Sequence, residues 1–206
     1  MKLLKLLFPI FIILLSYNLI AYNLDFYKNE FQKHDIYSSL NKSDVDKEAE
    51  NLINYFKTGK LETSFFNEKE LTHLKDVYKL NSTVCYLFYG LLTLISICLL
   101  FLLYTKRCKE LYNDLFHSGL ISLGLIISLL ILVIINFSFS FTLFHEMLFT
   151  NNLWQLNPET DKLIVMFPEG FFIDTFIRIV IYSLIFSLSL ILIGKLLPII
   201  NKSSSK

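Results

Sequence analysis

Long apolar runs alternate with polar stretches along the 206 residues of this chain. Four runs reach the length of about 20 residues at which an α-helix crosses the hydrocarbon core of a bilayer. Backbone groups in lipid must bond within their own segment, so these runs predict helices, and the alternation typical of a membrane barrel is absent. The predicted spans are residues 1–22, 84–104, 119–143 and 176–200.

The longest polar stretch, residues 23–83, follows the first span and is too short to bury much core alone. We therefore expect it to rest on the outer end of the helix bundle. The predicted fold class is an all-α membrane protein with four transmembrane helices and a small, mainly helical extracellular cap.

Composition supports a membrane protein, because 54% of the residues are hydrophobic and the mean hydropathy is +0.53. Soluble proteins contain about 45–50% apolar residues. The formal net charge is only +1, and acids and bases are nearly balanced in the cap. This balance argues against a nucleic-acid partner.

The orientation follows from the positive charges that flank the spans, because cytoplasmic loops are enriched in Lys and Arg. We predict a cytoplasmic N-terminus, a cytoplasmic loop at 105–118 and a cytoplasmic tail at 201–206 in the plasma membrane. The 144–175 loop has one basic residue, Lys162, against five acids, and should face outward together with the cap. The cytoplasmic charges are Lys2, Lys5, Lys106, Arg107, Lys109, Lys195, Lys202 and Lys206.

A cleaved signal peptide is an alternative reading of the first span. Lys2 and Lys5 form a basic start before an apolar segment, and residues 19–21 approach a cleavage site. Leu19 is a poor match for the small residue expected three positions before the cleaved bond, and the apolar run is longer than that of a usual signal peptide. We therefore favour a retained helix.

Two helices are predicted within the cap. Ser43 is a candidate N-cap for a helix over 44–57, with Gly59 beyond its end. Asn67 followed by Glu70 predicts a second helix that continues to about residue 80. Its spacing places His73 and Asp76 on one side.

Two histidines, His73 and His145, are expected on the outer side and are the leading candidates for chemistry. The HExxH zinc motif is excluded, because position 149 is Phe. A metal site built from both histidines and Asp161 stays open, although the spacing gives no closed ligand pattern. We predict no cofactor.

Other polar residues are more readily explained by structure. Cys85, Cys98 and Cys108 are expected to be free thiols, with Cys85 a less favoured nucleophile. His34 and His117 are expected to be structural or solvated. Arg178 lies just inside the fourth span, where it either anchors at the interface or contacts an anion or ester oxygen.

Two motifs resemble the lipoprotein intramolecular transacylase family, Lit. The first is ELTHLKDV at 70–77; the second combines FHEMLF at 144–149, Trp154, Pro158 and MFPEGFF at 166–172. The resemblance implies a four-span bacterial acyltransferase in which His73 and His145 are the catalytic pair, acting on a diacylated lipoprotein within membrane lipid. It also implies an aromatic-rich site formed by Phe144, Phe149, Trp154, Pro158, Phe167, Phe171 and Phe172.

Asp76 follows His73 by three residues. As a hypothesis, its carboxylate orients or tunes the His73 imidazole. The main competing function is a non-enzymatic membrane scaffold or partner-binding subunit. A transporter is disfavoured, because the spans are almost free of central ionisable groups and lack an inverted repeat. A membrane lipase would use the same residues with water as acceptor.

Overall fold

A computed structural model describes residues 2–203, which form helices and connecting loops without strands. Residues 204–206, including Lys206 of the predicted cytoplasmic tail, lie outside the described part. The described helices are α1 (Lys2–Ala21), α2 (Leu24–Lys33), α3 (Ile36–Ser39), α4 (Lys42–Thr58), α5 (Glu68–Tyr104), α6 (Cys108–Ile135), α7 (Phe137–Leu148), α8 (Lys162–Met166) and α9 (Glu169–Ser203).

The four predicted membrane helices are confirmed as helices long and apolar enough to cross a bilayer: α1, α5, α6 and α9. Two of them, α5 and α9, are much longer than the roughly 20 residues that a span requires. α5 has 37 residues, and its first 16, up to Thr83, carry many charges. Since about 20 residues suffice for crossing, the apolar part from Val84 is long enough to cross a bilayer by itself, and His73 precedes it.

The cap helix predicted from Asn67 does not end near Leu80 but continues without a break into the second span. Nothing between them interrupts a helix, because the stretch contains no Pro or Gly before Gly90. The histidine-bearing segment and a membrane helix are thus one element.

The third span differs from the predicted 119–143 at both ends. α6 begins at Cys108, so the predicted 105–118 loop is reduced to a three-residue turn, residues 105–107, and a helical segment. At the other end α6 stops at Ile135, where Asn136 adopts an extended conformation and accepts a hydrogen bond from the Phe139 amide. A short polar side chain that caps the next helix explains this break.

The chain divides into two compact units. The first contains, among the described residues, 2–18, Tyr86–Ile135 and 178–203. Its core packs apolar side chains of α1, α5 and α6, among them Leu4, Leu102 and Leu115. Small polar side chains are also buried there, and the Ser183 hydroxyl donates to Ser16 Oγ at 2.9 Å.

The second unit contains Leu19–Cys85 and Asn136–Ile177, and includes both candidate histidines. An aromatic cluster lies in its core, with successive ring centroids 5.0–6.3 Å apart. This spacing is typical of favourable aromatic packing. The cluster consists of Phe26, Tyr27, Phe31, Phe167 and Phe171.

The predicted 44–57 helix of this unit is present as α4, although its cap is Asn41 instead of Ser43. The Asn41 side chain accepts hydrogen bonds from the amides of Ser43 and Asp44. Gly59 ends the helix with a φ of +75°, a left-handed conformation that glycine adopts without steric cost.

Candidate active site

The helix that carries His73 begins with a reciprocal capping arrangement, as the Asn67–Glu70 spacing predicts. The Asn67 side chain accepts a hydrogen bond from the Glu70 amide at 3.0 Å, and Glu70 Oε2 accepts one from the Asn67 amide at 2.7 Å. This arrangement satisfies two amides that the helix itself cannot. It therefore fixes the first turn of α5, one turn before His73.

Glu70 and Asp161 together tie this helix start to the loop after α7, and we call the pair the Glu70–Asp161 latch. Glu70 is only 1% exposed, and its Oε1 accepts a hydrogen bond from the Leu163 amide. Asp161 accepts hydrogen bonds from Asn67 Nδ2 and from the Asn157 amide, each at 2.8 Å. These hydrogen bonds lower the pKa of Asp161, that from the Asn157 amide most strongly. The latch holds α5 and the Trp154-containing loop together.

His145 lies in the last turn of α7. Its Nδ1 is 2.7 Å from the carbonyl oxygen of Phe141, which can only accept, so Nδ1 carries the hydrogen. Neutral His145 therefore keeps a lone pair on Nε2. At the other end of α7, the Ser138 hydroxyl donates to Glu169 at 3.0 Å, which joins the start of α7 to that of α9.

The two imidazole rings lie near one another, with centroids 6.4 Å apart and an interplanar angle of 35°. His73 is 7% exposed and His145 is 8% exposed. In the part of the chain that the structure describes, no hydrogen bond joins the rings, and the buried Nδ1 of His73 has no partner. Two buried imidazoles thus lie close together, and the Nδ1 of His73 is left without a hydrogen-bond partner.

Aromatic side chains pack against this pair, and most of them contact His145. The Phe149 ring lies 5.3 Å from His73 and 5.5 Å from His145. The rings of Trp154 and Phe144 lie 4.8 Å and 5.4 Å from His145. Phe141, which the sequence analysis missed, is nearer still at 4.1 Å, and helical spacing from His145 was the available signal.

The remaining predicted site residues have different surroundings. Phe172 contacts Phe141 at 5.3 Å, whereas Phe167 and Phe171 belong to the aromatic cluster around Phe31. Pro158 is exposed in its loop. Arg178 is an exposed residue of the first unit.

Burial favours the uncharged form of both histidines, because a charge loses hydration in an apolar environment. It lowers the pKa of His73 to about 4; the neighbouring His145 acts in the same direction, and Asp76 opposes it. Burial also lowers the pKa of His145, but the carbonyl of Phe141 opposes the shift. A helix C-terminus additionally favours a cation at His145.

Asp76 influences His73 through its charge, without a hydrogen bond. Its Oδ2 accepts from Asn151 Nδ2 at 2.9 Å, and its Oδ1 lies 3.3 Å from Lys79 Nζ. The Asn151 hydrogen bond is the main cause that lowers the pKa of Asp76. Its effect on His73 is electrostatic.

A metal site built from His73, His145 and Asp161 finds no support in these contacts. Both carboxylate oxygens of Asp161 already accept hydrogen bonds within the Glu70–Asp161 latch. Among the described residues the one group with metal-ligand spacing is Glu30, His34 and Asp174. Asp174 there already accepts hydrogen bonds from His34 and Lys33, each at 2.6 Å. His34 is therefore structural, as expected, and a Cβ on Gly170 would collide with its ring.

The cysteines are free, as expected, and Cys98 is buried in the core of the first unit. Cys85 lies 3.1 Å from the Tyr22 hydroxyl. The Cys85 thiol therefore has a hydrogen-bonding partner within the second unit.

The fold has known counterparts. The chain matches the membrane integral lipoprotein intramolecular transacylase Lit from Bacillus cereus with a TM-score of 0.86 and 24% identity, covering 100% of this chain and 98% of that one. Two structures of the same bacterial protein, with a histidine replaced by arginine or by alanine, match with TM-scores of 0.82 and 0.81, also at 24% identity. They cover 100% of this chain and 94% and 96% of theirs.

No curated protein sequence matches the chain. Residues 2–172 match the family described as lipoprotein intramolecular transacylase Lit, and this segment contains both histidines with the elements that hold them. The chain therefore belongs to the Lit family of lipoprotein intramolecular transacylases and is a multi-pass membrane acyltransferase.

Proposed function

We propose that this protein moves the sn-2 acyl chain of a diacylglyceryl-cysteine lipoprotein to the α-amino group of the same cysteine, with His73 and His145 as the catalytic residues. The observation that carries the proposal is the juxtaposition of two buried imidazoles, 6.4 Å apart and enclosed by aromatic rings, in a chain of this family. No metal or cofactor is needed for the chemistry below.

Donor and acceptor belong to one molecule. Counting from the α-nitrogen through Cα, Cβ, sulfur, two glyceryl carbons and the ester oxygen to the carbonyl carbon closes an eight-membered ring. Attack within that ring forms the C–N bond and then breaks the ester C–O bond, so an acyl-enzyme is not required. The enzyme mainly has to hold the ring closed, and such confinement replaces an encounter in solution.

His145 is suited to carry the proton. The hydrogen on its Nδ1 is engaged by the Phe141 carbonyl, so Nε2 accepts the proton that leaves the attacking nitrogen. The same carbonyl and the C-terminus of α7 stabilise the imidazolium that results. His145 then returns the proton to the departing glyceryl oxygen, and the proton count balances within one cycle.

His73 is suited to act without changing its charge. With a pKa of about 4 it is neutral at physiological pH, and a neutral imidazole has one N–H. That N–H donates to the oxyanion of the tetrahedral adduct, where a positioned donor is worth about 10²–10³ in rate. A protonated second histidine is therefore unnecessary.

The aromatic rings support this chemistry by excluding water. An ester between two imidazoles is otherwise open to hydrolysis, which would release a fatty acid instead of transferring it. Phe144, Phe149 and Trp154 occupy space that water would take around His145. Phe172 packs against Phe141, which contacts His145, and Phe171 and Phe167 lie behind Phe172. We assign Pro158 and Arg178 secondary roles in substrate contact.

We place the site on the outer face of the plasma membrane, with both termini cytoplasmic. The Lys and Arg residues of the 105–107 turn and the chain ends support this orientation, as does the acidic excess of residues 144–175. The substrate reaches the site through membrane lipid. On this topology residues 23–83 form the extracellular cap and residues 144–175 form an outer loop.

The test is mass spectrometry of the N-terminal lipopeptide of a reporter lipoprotein, in bacteria that lack other N-acylation activity. The parent chain should produce N-acyl, lyso-glyceryl cysteine, and His145→Ala should lower the yield by about 10²–10⁴-fold. Lyso-glyceryl cysteine with a free amine would identify a lipase. An unchanged substrate with membrane-inserted protein would indicate the scaffold function.

The separate roles of the histidines are tested in the same assay. His73→Gln keeps a neutral N–H donor and should retain more activity than His73→Ala. His145→Gln cannot accept and return a proton, so it should be as inactive as His145→Ala. Equal losses in the two His73 variants would contradict the donor role.

A further inference from the structure

A polar pocket of about 270 Å³ lies beside the histidine pair in the second unit. Phe149 lines it, and the same ring contacts both His73 and His145. Asp76 on α5 also lines it, one helical turn after His73. The pocket is therefore separated from the catalytic imidazoles by a single side chain.

The pocket has a charged and hydrogen-bonding lining that a fatty acyl chain would not match. Asp76, Lys79, Thr83, Thr150 and Asn151 contribute polar groups, and three apolar side chains complete the wall. Its volume is slightly below the range of about 300–1,000 Å³ for small-molecule sites. It suits a small polar portion of a larger substrate.

The anionic group in the pocket is positioned and accessible. The Asp76 carboxylate is held by the neutral amide of Asn151 at 2.9 Å, and its side chain is 22% exposed. The Asn151 side-chain oxygen accepts from the Leu153 amide, so the amide itself is fixed. An incoming cation therefore meets an ordered carboxylate.

The present cationic neighbour of Asp76 is easily displaced. Lys79 Nζ lies 3.3 Å away, but its side chain is 76% exposed and follows three residues later on the same helix. Exposed pairs of this type contribute about 0–1 kcal/mol. A substrate cation delivered beside the histidines can replace it.

We propose that this pocket binds the amino-terminal end of the lipoprotein polypeptide, with the Asp76 carboxylate paired to the substrate's α-ammonium group; this inference rests on the proposed function. The α-amino group has a reference pKa of about 7.7–8.0 and arrives mostly protonated. Thr150 and Asn151 face the first peptide groups, and the acyl chains lie elsewhere. The ammonium first loses one proton to solvent at the Asp76 carboxylate, whose side chain is 22% exposed. The neutral nitrogen then moves past the Phe149 side chain to attack the ester, and His145 accepts the second proton.

The inference assigns Asp76 to substrate positioning, so its effect should appear in binding of the amine. The probes are a diacylated lipopeptide and its desamino analogue, which lacks only the α-amino group. Binding is measured in lipid nanodiscs with the full chain carrying His145→Ala, so that no turnover occurs. Asp76→Asn is compared with Asp44→Asn, a matched change at an exposed carboxylate of α4.

The protein with Asp76 should bind the amine about tenfold more tightly than the desamino analogue, and Asp76→Asn should abolish this preference. Asp44→Asn should keep the preference, and Lys79→Ala should increase it by removing the competing cation. An unchanged preference in Asp76→Asn would overturn the inference. Absence of N-acylation by the parent chain would instead reject the proposed function, so the two failures are distinguishable.

Discussion

The imidazole of His73 should make stability depend on pH in a defined window. Burial lowers its pKa to about 4 in the folded protein, whereas an unfolded histidine titrates near 6.5. Between these values the unfolded chain binds a proton that the folded protein does not, so stability falls as the pH drops from about 6.5 to about 4. Above about pH 6.5 both states are neutral at this residue and its contribution is constant.

Thermal unfolding in detergent at about pH 7.5 and about pH 4.5 measures this effect. His73→Gln has no titrating group at the position and should lose less stability between the two pH values than the parent protein. The other acidic and basic groups are the same in both proteins. An identical pH dependence would show that His73 is not held neutral by the fold.

At the scale of the elements, Glu70 is predicted to fix the helix that carries His73. Glu70→Gln leaves either the partly buried Asn67 amide or the buried Leu163 amide without its carboxylate acceptor. Such a loss costs about 1–3 kcal/mol. Chemical or thermal unfolding should show this destabilisation, and activity should fall because His73 follows one turn later.

The matched control for Glu70 is Glu68→Gln, since Glu68 is exposed in the same first turn of α5. It should change stability by no more than about 0.5 kcal/mol. If both variants are destabilised equally, the loss of stability comes from removing a negative charge near the start of α5, and the hydrogen bonds of the Glu70–Asp161 latch make no special contribution.

Some features of the helices could be predicted from the sequence, and others could not. The apolar runs and the Asn67–Glu70 cap predicted helices correctly, because both depend on residues close in sequence. The break at Asn136 was missed, since one polar residue lowers the mean hydropathy of a long apolar run only slightly. The Asn136 side chain nevertheless caps α7. Continuity of α5 was missed because its polar and apolar parts were read as separate elements.

At the scale of the molecule, the site depends on contacts between residues distant in sequence. The two histidines were identified by their motifs, but their separation of 6.4 Å depends on how α5 and α7 pack. The Glu70–Asp161 latch and the pocket beside Phe149 were invisible in the sequence for the same reason. Local patterns identify reactive groups, whereas tertiary contacts decide their protonation and their neighbours.

Orientation in the membrane gives the last prediction. If the positive-inside rule applies, residue 159 faces outward and Cys108 faces the cytoplasm. Glu159 is exposed in the loop after α7, and Cys108 is half-buried at the start of α6. A membrane-impermeant maleimide applied to intact cells should therefore label Glu159→Cys in a Cys108→Ser background, and should leave Cys108 unmodified in a protein that keeps Glu159.

Permeabilising the cells should then allow labelling of Cys108, which shows that the thiol is reactive and was protected only by the membrane. Cys85→Ser is included throughout, so that a thiol near the outer boundary does not contribute signal. Labelling of Cys108 in intact cells, with Glu159→Cys protected, would show that the topology is the reverse of the predicted one. The histidines would then face the cytoplasm, and a substrate on the outer surface could not reach them.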